Sequence, residues 1–243
     1  MSYVDGFVIA VRTEDKEKYR KFSEDMVAAF KEHGASSLAE CWGDDVPHGK
    51  VTDFYRAVKA KDDETVVFSW IVWPDKATRE TGMEKLMADP IFDPATNPVP
   101  FDGKRMIFGG FEIIVGEAGP AKTYQAKSYV GGFVLAVPTA NKEKYRKYAD
   151  AARPVVEKHG ALSLAECWGT DVPRGEVTDF YRAVQAGEDE AIAFAWIVWP
   201  DKATRDAAMP KITGNPIFDP ETNPMPLDGK RMIFGGFETI VDG

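Results

Sequence analysis

The sequence predicts an α+β fold: two ferredoxin-like β-α-β-β-α-β units with antiparallel sheets packed face to face as an intramolecular pseudo-dimer. Three observations carry that expectation. Residues 2–117 and 128–243 align at a constant offset without a gap, and about 75 of the roughly 116 aligned pairs are identical. Inside each copy the apolar period changes from that of a strand to that of a helix and back, in the order the fold requires. Between the copies lies EAGPAKTYQAK, a polar linker that when extended spans about 35 Å, enough to fold the second copy back onto the first. The units are residues 1–116 and 128–243, joined by 117–127.

Tyr3 to Val11 is rich in aromatic and β-branched residues and ends at a charged turn, so it is a first strand. Tyr19, Phe22, Met26, Ala29 and Phe30 then recur at helical spacing, matched by Tyr145, Tyr148, Ala152, Val155 and Val156. Thr13 or Asp15 serves as N-cap, and Gly34 after His33 stops the helix. Ser37 to Trp42 is a second strand. Asp53 to Val58 is taken as an added hairpin strand, and Thr65 to Trp73, apolar on both faces, as a covered central strand. Pro74-Asp75 opens a helix through about Ala88 with Asp75 as its cap. Pro210 in place of Glu84 is expected to kink or shorten the second copy's helix. Asp93 to Asp102 is a proline-rich loop, and Arg105 to Val115 closes the unit as a strand that Gly109-Gly110 weakens or bulges.

One unit alone leaves one sheet face bare, and the second copy supplies its cover around a pseudo-twofold. Apolar residues make up 44% and charged residues 28%, an ordinary globular balance. A net charge of -9 without a basic stripe repels phosphate backbones and anionic lipid, so neither nucleic acid nor membrane is an expected partner. No stretch reaches membrane-spanning length and no leader pattern opens the chain, so a cytoplasmic setting is expected. Cys41 and Cys167 are one position in two copies, each a lone core thiol, and three histidines without ligand spacing exclude a metal expectation. His33 and His159 fit the ends of helices. The glycines of IFGGFE precede no helix, no nucleophile elbow or P-loop occurs, and no cofactor is expected.

The polar residues inside apolar strands are the candidate ligand-binding set. Alternation puts Glu40 and Trp42 on one face and Ala39 and Cys41 on the other, with the same split around Glu166. Asp53, Arg56 and Glu112, with copies Asp179, Arg182 and Glu238, add charges to strand segments, and Trp70 and Trp196 offer flat walls. Charged groups in a covered sheet need partners, because one left buried and unpaired costs about 3–5 kcal/mol. Two readings stay open. The cluster lines a barrel cavity where a carboxylate acts as base or an Arg holds an anion; or it is a salt-bridge network holding the halves in register, which the residues favour. The Trp pairs fit core packing better than a ligand wall, and Lys104-Arg105 fits a solvated turn.

The motifs YVxGFVxAV, HGAxSLAECWGxDVPxGxVTDF, FxWIVWPDKATR and PxDGKRMIFGGFE together resemble the YbaA-like family, a bacterial domain of unknown function, over each whole unit. The resemblance implies the dimeric α+β barrel superfamily, which includes small monooxygenases, isomerases and dye-type peroxidases, and so extends the expected pseudo-dimer to an intramolecular pseudo-dimeric α+β barrel. It lends no catalytic residues. A small-molecule-binding protein with a cavity in each half is the leading expectation; a cofactor-independent oxygenase- or isomerase-like enzyme and a non-catalytic interaction protein are the alternatives. The strands repeat almost letter for letter, whereas all ten positions from Ser23 to Glu32 differ from Ala149 to Lys158.

Overall fold

The computed structural model describes residues 2–93, 95–118 and 128–243. The first unit runs β1 (Tyr3–Arg12), α1 (Lys16–Glu32), β2 (Ser37–Asp45), α2 (Phe54–Ala57), β3 (Glu64–Trp73), α3 (Lys76–Met87) and β4 (Ile107–Gly116). The second repeats it as β5 (Tyr129–Pro138), α4 (Lys142–Lys158), β6 (Ser163–Asp171), α5 (Phe180–Ala183), β7 (Glu190–Trp199), α6 (Lys202–Thr213) and β8 (Ile233–Asp242). The linker, apart from Glu117 and Ala118, lies outside the described residues.

The eight strands close into one barrel in the order β1-β3-β2-β8-β5-β7-β6-β4. The halves therefore do more than face each other: β2 pairs with β8 and β4 with β6, both antiparallel, so the outer strands of each unit find their partners in the other. Closure leaves no unpaired sheet edge. The register between β4 and β6 shifts between Gly110 and Phe111, but the residue left over is Thr170 of β6; the extra residue of β4 is Ile114, and Gly109-Gly110 pairs with β1 in unbroken register, so the glycines do not bulge their strand as expected. A Cβ on Gly110 would lie 2.5 Å from the Tyr3 hydroxyl, so the glycine admits that ring.

Side chains on the inner face fill the barrel. Ala39, Cys41, Phe68, Trp70 and Phe111 meet their copies in one buried cluster. Phe68 stacks on Phe194 at 4.4 Å and Trp70 on Trp196 at 4.5 Å, each pair formed across the pseudo-twofold. Two plugs complete this core. Asp53 to Val58 is not a strand: the Asp53 carboxylate accepts the Arg56 backbone N–H at 2.8 Å and caps the short helix α2, an Asx cap outweighing β propensity. Its Phe54 packs on Phe68 and Phe237 from both units. Thr52 donates to the Ala183 carbonyl at 2.6 Å, and Thr178 to that of Ala57 at 2.7 Å, so α2 and α5 clasp reciprocally.

The helices pack on the outer face of the barrel. Asp75 caps α3 by accepting the Thr78 N–H, as Asp201 caps α6 from Thr204. Asp15 precedes α1 without a side-chain cap bond, while Gly34, at φ +103°, ends the helix as expected. His33 Nε2 contacts Asp89 at 3.2 Å instead of a terminal carbonyl. Pro210 does not shorten α6, which keeps the twelve residues of α3. Arg105 is no solvated turn residue: it is buried and binds Glu64 through both terminal nitrogens at 2.6 Å. No described helix is long and apolar enough to cross a membrane.

Candidate functional site

In the second unit a cavity of about 690 Å³ opens between the outer sheet face, α4, α6 and the loop that leads to β8. Strand alternation supplies its floor, placing Phe133 and Leu135 of β5, Leu164 and Glu166 of β6, and Ala195 and Ile197 of β7 on one face. Helical spacing supplies one wall from Tyr145, Tyr148, Ala152 and Val156. Met209 and Ile212 of α6 and Phe218, Met225, Leu227 and Met232 close the rest. The lining is almost wholly apolar.

Arg153, Thr213 and Asn223 add polar groups to the wall, and Glu166 is its one carboxyl. Tyr145 donates its hydroxyl to Glu166 Oε2, tying α4 to β6. Burial pushes the Glu166 carboxyl up to about 7, the hydrogen bond from Tyr145 pulling it partly back. The residue as a whole is half-buried: its carboxyl is deep enough for desolvation to dominate, yet part of its surface lines the cavity. Tyr145 is itself raised well above 10, by burial and then by the adjacent carboxylate, so the phenol stays a donor. A carboxyl near 7 holds both protonation states in quantity at neutral pH, the condition for general acid or base work.

The first unit keeps the pair and surrounds it with larger side chains. Tyr19 donates to Glu40 at 2.6 Å, and burial again raises the carboxyl to about 7. Ser69, opposite Glu40 in the strand pairing, favours the ionised form slightly, although its hydroxyl lies outside hydrogen-bond geometry. Where the second unit has Ala152, Val156 and Leu227, the first has Met26, Phe30 and Phe101. Phe101 packs on Tyr19 at 6.1 Å and on Phe22 at 6.4 Å; Phe30 packs on Phe92 at 5.7 Å. Helix standoff adds to the difference. A Cβ on Gly82 would come within 2.5 Å of the His33 carbonyl oxygen and 2.6 Å of Trp73, and the second copy carries Ala208 there, so α6 cannot approach its sheet as closely as α3 does.

A family model described as "Protein of unknown function (DUF1428)" matches residues 2–103 and again residues 128–229. The chain belongs to this family. The "Uncharacterized protein YbaA" of Escherichia coli K12 is 52% identical to this DUF1428 chain over 117 residues, all of that protein and 48% of this one. Two crystal structures named "putative monooxygenase" share the fold. That from Fusobacterium nucleatum has a TM-score of 0.61 at 10% identity, covering 99% of this chain and 93% of its own; that from Lactobacillus acidophilus has 0.58 at 12%, covering 100% and 96%. An "anthrone oxidase-like protein" follows at 0.55 and 15%, covering 100% and 92%.

The DUF1428 fold separates the residues that the sequence grouped. Glu40 lies on the helix side of the sheet and Trp70 on the barrel side, so the barrel interior is packed rings and no polar cluster forms there. Asp53 is spent on its cap and on the Gly49 N–H, and Arg56 donates to the Gly49 carbonyl at 2.9 Å; Asp179 and Arg182 repeat this around Gly175. Glu112 and Glu238 are exposed, and Glu238 pairs with Lys16 at 3.3 Å across the unit boundary. A smaller hollow of about 390 Å³, between Pro47–Asp53 and Gly229–Phe234, touches Asp53, whose oxygens are already engaged. Of the candidates only Glu166 lines the large cavity. Among the described residues no group of three or more His, Cys, Asp or Glu is placed to hold a metal ion. Cys167 lies on the inner face, its thiol raised by burial away from reactivity.

Proposed function

We propose that this protein binds a small, largely apolar molecule in the cavity of its second unit, with Glu166 as the one group there able to exchange a proton. The observation that carries this reading is the cavity itself: about 690 Å³, apolar, with a single deep carboxyl raised to about 7. Cavities of this size suit drug-sized ligands, and few polar groups set orientation in them. The first unit serves as the barrel's other half and offers a comparison, since it holds the same Glu–Tyr pair beside Met26, Phe30 and Phe101.

The test is a thermal-shift screen of small apolar molecules against the wild type and against a variant in which Ala152→Met, Val156→Phe and Leu227→Phe restore the first unit's packing. Hits that raise the melting temperature of the wild type and not of the closed variant support the reading. Equal shifts for both proteins remove it.

A second reading is proton abstraction from the bound molecule by Glu166, without a cofactor. It is favoured by that carboxyl and by the oxygenase and oxidase names borne by proteins of the same fold. Turnover at the wild-type level in Glu166→Gln, once a substrate is in hand, removes it.

A further inference from the structure

The cavity's polar bookkeeping narrows its ligand. An ionised carboxylate offers about four acceptor positions, and among the described residues Glu166 receives one donor, Tyr145. Other buried carboxylates in the chain are better served. Asp5 receives Arg79 and the Trp73 indole N–H; Glu64 receives Arg105 and a backbone N–H; Asp53 receives two backbone N–H groups. In the first unit Ser69 adds a hydroxyl beside Glu40; in the second its counterpart is Ala195, which lines the cavity. A polar neighbour is therefore missing from the protein where a ligand has room to provide one.

We propose that the molecule this cavity selects is a lipophilic amine, bound as its ammonium ion against Glu166. The proposal rests on the cavity reading above and adds the chemical class. The other charged side chain on the wall is Arg153, whose Nε is held by Glu157 at 2.6 Å, so the deep unpaired charge is negative. In a water-poor site an ammonium gains far more from that carboxylate than an alcohol does, and an anion is repelled. The remaining wall is soft. Phe133, Tyr148 and Phe218 present rings suited to a cation, and the methionines adapt to an apolar body of varied shape. The chain's charge of -9 steers cations toward it.

The experiment compares three probes of one shape, 1-naphthylmethylamine, 1-naphthalenemethanol and 1-naphthoic acid, by calorimetry near pH 8 on wild type, Glu166→Gln, Glu40→Gln and the closed Ala152→Met, Val156→Phe, Leu227→Phe variant. The expected result is an amine bound at least about tenfold tighter than the alcohol, with the acid weakest. That preference disappears in Glu166→Gln and survives in Glu40→Gln, which controls for the loss of a Tyr–Glu tie elsewhere. An alcohol or acid that binds as tightly as the amine, or an amine preference that persists in Glu166→Gln, overturns the amine assignment. In that event the cavity reading stands if the closed variant loses all probes. Failure of all three to bind the wild type, or undiminished binding to the closed variant, overturns both.

Discussion

Phe68 and Phe194 lie face to face at the centre of the barrel, 4.4 Å between ring centroids and 1° from parallel. Each ring also covers a glycine of the opposite unit: a Cβ on Gly6 would meet Phe194 at 3.0 Å, and one on Gly132 would meet Phe68 at 3.1 Å. The inner face of each sheet is thus built around the other copy's phenylalanine.

Phe194→Ala is expected to cost about 3–5 kcal/mol in urea unfolding. The double variant with Phe68→Ala should cost less than the sum of the singles, because each truncation already removes the stack. Strict additivity would place the two rings in independent environments.

Giving the first unit the smaller side chains of the second should let it take the same ligand. Met26→Ala, Phe30→Val and Phe101→Leu together copy the open unit's residues, and a ligand found for the second unit is expected to bind the triple variant at two sites, with calorimetric stoichiometry as the readout. The variant should also lose stability, since each buried large-to-small change costs on the order of 1–4 kcal/mol. An unchanged stoichiometry in a folded triple variant would show that these three side chains do not set what the first unit can hold.

Stability should peak in mildly acidic solution. Glu40 and Glu166 bind protons more tightly folded than unfolded, being raised from 4.5 to about 7, so each withdraws stability as pH rises from about 4.5 to 7. Asp242, raised by burial to about 6, acts in the same direction. The size is on the order of 3 kcal/mol for each glutamate. Glu64 and Glu190 act oppositely. Arg105 and Arg231 hold them below their ordinary value, so their contribution is present above about 4.5 and is lost as pH falls through the depressed folded values. Urea midpoints measured from pH 3 to 9 should therefore rise and then fall, and Glu40→Gln with Glu166→Gln should flatten the alkaline limb.

Arg105→Ala is expected to cost about 3–5 kcal/mol, because it strands Glu64 at 8% exposure without its bidentate partner. Arg20→Ala, which breaks exposed pairs to Glu17 and Glu24 on α1, should leave the urea midpoint almost unchanged. Equal losses would mean that burial does not govern these pairs.

The candidate site was legible only in part. Glu166 carries a strand-embedded charge that alternation places with Trp168, and this singled it out from its neighbours. Tyr145 and Ala152 fell into a core-facing helical stripe, and nothing in one helix shows whether the opposite wall will fill the space. The signal for the cavity was the run of ten differences between Ser23–Glu32 and Ala149–Lys158. Such a run suggests relaxed constraint, yet here Met26 and Phe30 become the smaller Ala152 and Val156 on the face that lines the cavity of the second unit. Asp53 to Val58 misled for a local reason, since DFYRAV has strand composition and its helix depends on a single Asx cap.

The sequence by itself determined the duplicated α+β plan, the split of β2 and β6 into two faces and the family, because strand period, helix period and repetition are properties of a few neighbouring residues. Tertiary structure alone decided that the barrel closes through β2–β8 and β4–β6, that its centre is packed aromatic rings, and that the cavity of the second unit lies outside the barrel, between sheet and helices. Those outcomes depend on volumes summed across elements distant in the chain, which no short run of residues records.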